Sequence, residues 1–98
     1  MPGFSAHSPA MPTVLVEDKR VKVTRWDFAP GAETGWHKHA MDYVVVPVTN
    51  GILRVTDSAG TRDVPLTIGG AYARIEGVEH NVANGGTEPL AFIEVEIK

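Results

Sequence analysis

From residue 13 to the end, the chain is never apolar for long and is never far from a turn residue. Short β-branched and apolar runs at 13–17, 21–29, 43–49, 52–57, 62–67, 71–75, 80–83 and 90–97 are separated by breaks at 18–20, 30–35, 50–51, 58–60, 69–70, 77 and 84–87, which are rich in Gly, Asn, Ser and Pro. A helix needs an apolar stripe recurring every three or four residues over roughly ten positions, and no stretch supplies one. Val44, Val45 and Val46 are stiff at χ1, suit a pleated strand, and run straight into Pro47. Many short strands at this spacing predict an all-β sandwich or barrel.

Two local patterns sharpen that expectation. Asn50–Gly51, between Val48 and Ile52, has the residue types that tolerate positive φ, and it predicts a two-residue hairpin. In the last run Ala91, Ile93, Val95 and Ile97 alternate with Glu94 and Glu96, which predicts a buried apolar face and a solvated acidic one. Residues 1–12 hold three prolines, a glycine and two serines, and are expected to form a flexible or swapped arm ahead of a single domain over 13–98. A chain of 98 residues buries only about two-thirds of its unfolded surface, so a homodimer is expected to add to a modest core.

Composition excludes several kinds of chemistry. There is no cysteine, hence no disulfide, thiolate metal site or cysteine nucleophile. Nine basic against 12 acidic residues leave a net charge of −3 with no basic cluster, so nucleic acid is not an expected partner. No apolar run approaches the roughly 18 residues of a membrane span, and residues 1–12 carry neither Lys nor Arg, so a cytoplasmic protein without membrane contact is expected. No phosphate-binding glycine loop occurs, and Ser5 and Ser58 stand in no nucleophile context.

What remains is histidine. Of His7, His37, His39 and His80, His7 falls in the arm and is read as a surface residue. His37 and His39 are two apart in a segment leading into a strand, so their rings project to one side, as two ligands of one ion must. His80 follows a glycine turn at Gly77 and opens a new strand. Gly31, then Trp36-His37-Lys38-His39, then Tyr43 and Gly51 resemble the first motif of the cupin family. Gly69, Gly77, His80 and Asn84 resemble the second. The two stretches run in the family's order over residues 31–84, and the chain is similar to the small cupins associated with bacterial amine or β-alanine catabolism.

The resemblance implies a jelly-roll barrel, the cupin double-stranded β-helix, with His37, His39 and His80 as ligands of one divalent transition metal (Fe, Ni, Zn or Mn). The family's acidic ligand position is occupied by Tyr43, and a proline of the second motif is replaced by Ile75. Tyr43 is therefore a candidate catalytic neighbour of the metal, or an aromatic packed on Trp26 or Trp36. Asp42 is a candidate ligand only if a β-bulge turns it inward. Three neutral imidazoles leave the full charge on the ion and favour a small anionic ligand. Arg25, Arg54 and Arg74 are candidates for its carboxylate, with Arg74 first because it lies between the second-motif glycines and His80. The implied function is a metal-dependent oxygenase or Lewis-acid lyase or isomerase acting on a small organic acid or amine-derived metabolite. The alternative is a non-catalytic barrel that binds or senses such a ligand.

Overall fold

The computed structural model describes residues 8–98. Nine strands follow in chain order: β1 (Met11–Glu17), β2 (Val21–Phe28), β3 (His37–Lys38), β4 (Asp42–Pro47), β5 (Gly51–Asp57), β6 (Gly60–Leu66), β7 (Tyr72–Arg74), β8 (Glu79–Asn84) and β9 (Leu90–Ile97). All strand pairs are antiparallel, in a five-stranded sheet of order β1-β2-β9-β4-β7 and a four-stranded sheet of order β3-β8-β5-β6. The all-β double-stranded β-helix expected from the sequence is the fold observed. Among the described residues no helix is long and apolar enough to cross a membrane. His7 and Ser5 lie outside the described residues, as does most of the segment expected to be an arm. Within that segment Ala10 is buried, and Met11 and Pro12 pair with Asp27 and Trp26.

The core fills the space between the two sheets. Phe28 and Leu90 are almost completely buried, and the Phe28 ring lies 5.5 Å from that of Phe92. Leu53, Val55, Leu66 and Val82 face them from the smaller sheet. Leu53, Val55, Val82 and Phe92 also line a cavity between the sheets.

Asn50–Gly51 does not make a hairpin. β4 and β5 lie in different sheets, so the chain crosses over at this point, and neither residue has positive φ. Gly51 serves packing instead, since a Cβ there would come within 2.6 Å of Leu90 Cδ1. A true hairpin joins β5 to β6, where Asp57 pairs with Gly60 at φ 124°.

Ala91 is buried as expected, but beyond it the faces of β9 are the reverse of the expected ones. Leu90 pairs with Phe28, Phe92 with Trp26 and Pro47, Glu94 with Thr24 and Val45, and Glu96 with Lys22 and Tyr43. Directly paired residues share a face, and this one is the interior. Ile93, Val95 and Ile97 therefore lie on the outer face with Val44 and Val46. Two large apolar residues at the start of β9 decide its parity, and they carry both glutamates inward.

Candidate metal centre

Antiparallel pairing brings the distant histidines together. His37 on β3 is the register partner of His80 on β8, so their side chains leave the ladder on one side. His39 lies just past the short β3, not in a continuous strand as expected. Its backbone is clamped from both sides: its N–H donates to Val78 O and its carbonyl accepts from Gly77 N–H, both at 2.8 Å. Gly77 makes this turn at φ 90°, a conformation that costs glycine little. One turn thus places His80 on β8 and fixes His39 beside it.

The three rings converge on one point. His39 Nε2 is 3.1 Å from His37 Nε2 and 3.1 Å from His80 Nε2, and the three donor atoms all lie within 4.8 Å of one another. Nitrogens sharing one ion at a usual bond length of about 2.1 Å sit about 3.0–3.4 Å apart, so the donor set fits a divalent transition ion. The His37 tautomer agrees. Its Nδ1 is 2.9 Å from Gly35 O, which only accepts, so Nδ1 carries the proton and the Nε2 lone pair faces the other rings. Thr34 Oγ1 supports this arrangement 3.2 Å from the same Nδ1, while it donates to Gly35 O and accepts from Val82 N–H. Such an outer hydrogen bond orients a ligand ring and raises its basicity. His80 Nδ1 is buried without a partner.

Burial also keeps two of the rings neutral. His39 and His80 are 7% and 5% exposed, and both are lowered to about 4, first by loss of solvation and then by positive charge on neighbouring histidine and Arg74. Their lone pairs are therefore free at neutral pH, as a metal ligand requires.

Of the other candidates, Tyr43 and Arg74 face the centre and Asp42 does not. The Tyr43 ring stacks on His39, with centroids 3.8 Å apart and planes within 17°, so its aromatic partner is neither Trp26 nor Trp36. Burial pushes its phenol up to about 12, which keeps it protonated. Asp42 is exposed, and its carboxylate accepts the Glu76 N–H at 2.9 Å. β4 pairs with β9 residue for residue from Asp42 to Pro47 with no bulge, so parity turns Asp42 outward. Arg25 is tied to Asp27 at 3.1 Å and Arg54 to Asp63 at 2.9 Å. Arg74, by contrast, lines the cavity above the histidines, and no carboxylate among the described residues pairs with it.

That cavity has a volume of about 440 Å³, with Val45, Leu53, Val55 and Phe92 on its apolar walls. Glu94 and Glu96 also line it, two functional candidates that sequence reasoning had assigned to solvent. Glu94 is 9% exposed, and its carboxyl is pushed up to about 7 by burial and then by Glu96. The Trp26 indole N–H opposes that rise without reaching hydrogen-bonding geometry. A carboxylate oxygen from each glutamate and one nitrogen of His39 lie within 4.8 Å of one another. The available signal was parity with Leu90 and Phe92.

Comparison with known proteins follows the same lines. The Cupin domain family model matches residues 24–96. The Beta-alanine degradation protein BauB of Pseudomonas aeruginosa is 52% identical over 95 residues, covering 97% of this chain and 100% of that protein. A cupin domain from Bordetella pertussis Tohama I superposes with a TM-score of 0.93 at 51% identity, over 96% of this chain and 98% of that one. A double-stranded β-helix protein from Methanocaldococcus jannaschii has a TM-score of 0.77 over 94% of this chain and 83% of that one; at 14% identity it shares the fold alone.

Proposed function

The chain belongs to the cupin family, and from that premise we propose that it is a metal-dependent enzyme acting on a small organic acid or amine-derived metabolite in the degradation of β-alanine or a close relative of it. One observation carries the proposal: three imidazole nitrogens converge, with His39 Nε2 3.1 Å from Nε2 of both His37 and His80, in a cavity also lined by Arg74, with which no carboxylate among the described residues pairs. His37, His39 and His80 would hold the ion. When bound, it supplies a Lewis-acid or redox centre with positions left open for a ligand. Around it, Arg74 offers a bidentate partner for a carboxylate. Tyr43 holds the plane of His39 by stacking and presents a neutral phenol. The apolar walls exclude water from the carbon chain. The metabolic assignment draws on the name of the Pseudomonas relative, which matches 97% of the chain.

Metal analysis of purified protein tests the centre. His39→Ala and His80→Ala are expected to lower bound metal to below a tenth of an equivalent, while His7→Ala leaves it unchanged. Equal metal in all three variants, or none in the parent protein after supply of Fe, Ni, Zn and Mn, sinks the assignment. Turnover of a ligand that raises the melting temperature supports the enzyme; stabilisation without turnover supports a ligand-binding barrel.

A further inference from the structure

Burying two carboxylates in one wall of a cavity is unfavourable unless something of opposite charge meets them. Glu94 and Glu96 are i and i+2 on the interior face of β9, and among the described residues neither forms an ion pair. Lys22 is the register partner of Glu96, yet it pairs with no carboxylate there. The same sheet carries the complementary charge two strands away. Arg74 on β7 and Glu96 on β9 are both register partners of Tyr43 on β4, so one rung of the sheet reads Glu96, Tyr43, Arg74. Two interstrand spacings set their backbones about 10 Å apart. Among the described residues the unpaired cation and the unpaired acids thus line one cavity from strands two apart, with His39 beside the acids.

We infer that Glu94 and Glu96 form an ammonium-binding wall two strands from Arg74 in the same cavity, so that the ligand is a small zwitterion with a carboxylate and a primary ammonium joined by a short carbon chain. The inference rests on the proposed use of the cavity as a ligand site. Arg74 and the histidine centre take the carboxylate end, and Val45 and Phe92 line the space for the methylenes. The two carboxylates share the ammonium's three donors. A simple organic acid fills the Arg74 side and leaves the acidic wall without a counter-charge.

Isothermal titration calorimetry on the metal-loaded protein tests this with three probes: 3-aminopropionate, propionate and n-propylamine. The expected result is at least tenfold tighter binding of 3-aminopropionate than of either other probe. The double variant Glu94→Gln/Glu96→Gln should lose that preference, retain its metal, and bind propionate within about threefold of the parent. Glu96→Gln alone, at the less buried position, keeps the comparison available if the double variant misfolds, and it should lower the preference at least threefold. Equal binding of propionate and 3-aminopropionate by metal-loaded parent protein overturns the ammonium wall while leaving the metal centre standing. So does a preference that survives both variants. Loss of metal from folded Glu94→Gln/Glu96→Gln assigns the carboxylates to the ion and overturns the inference as well. A parent protein that holds no metal and binds none of the probes overturns the proposed function along with it.

Discussion

Acidifying the metal-free protein sets two of its histidines against one of its glutamates. His39 and His80 are lowered from 6.5 to about 4, and Glu94 is raised from 4.5 to about 7. Between pH 6.5 and 4.5 the unfolded chain protonates both histidines and ionises Glu94, while the native chain keeps both imidazoles neutral and Glu94 protonated. The histidine contribution to stability is complete above pH 6.5 and is lost as pH falls. The Glu94 contribution has the opposite sign and grows as pH falls from 7 to 4.5. The unfolded state therefore holds up to a net one proton more, and stability declines by about 1 kcal/mol per pH unit, or about 2 kcal/mol across the window. That is a substantial share of the roughly 5–15 kcal/mol available to a domain of this kind. Glu94→Gln removes the compensating proton and should roughly double the slope, to about 2 kcal/mol per pH unit. The assay is urea unfolding of chelator-treated protein at half-unit steps from pH 7 to 4.5, with m-values checked for constancy. Parent stability that is flat or rises on acidification, or a Glu94→Gln slope no steeper than the parent's, refutes the burial account of these three groups.

Two structural contacts give further predictions. Thr34→Val removes the hydroxyl 3.2 Å from His37 Nδ1, and metal affinity should fall by about tenfold in competition with a chromophoric chelator; an unchanged affinity would mean that the Gly35 carbonyl orients the ring alone. Asn84, 4% exposed, donates to the carbonyls of Phe28, Ala29 and Glu88 and accepts the Gly86 N–H at 2.9 Å. Asn84→Ala should cost about 3 kcal/mol in chemical denaturation, because it leaves these buried backbone groups unpaired; a loss below about 1 kcal/mol would show that water replaces the side chain.

Asn84 also shows how far a motif can be read. Its place in the second stretch was visible in the sequence, but its work was not: it ties the end of β8 to the loops that follow β2 and β8, and that clasp exists only once the strands have paired. The His37–His39 pair was legible because its spacing is local, and His80 through the resemblance of its stretch to the second cupin motif. His37 and His39 share one short segment, and the glycine turn before His80 is written three residues ahead of it. The hairpin expected at Asn50–Gly51 failed for the opposite reason. Those residue types permit a tight turn, yet whether the flanking strands pair depends on partners elsewhere, and Gly51 was needed to let Leu90 approach.

The amino-acid pattern alone determined the strand-rich class, the absence of thiol chemistry and the paired imidazoles of His37 and His39, because each follows from residue types and short-range spacing; His80 joined them through the resemblance to the second cupin motif. Which side of β9 faces inward, which of Arg25, Arg54 and Arg74 lines the cavity and where Asp42 points were decided by tertiary structure. A strand offers two faces of opposite parity, and the choice between them belongs to the strands that pair with it. For β9 those are β2 and β4, roughly fifty to seventy residues away along the chain.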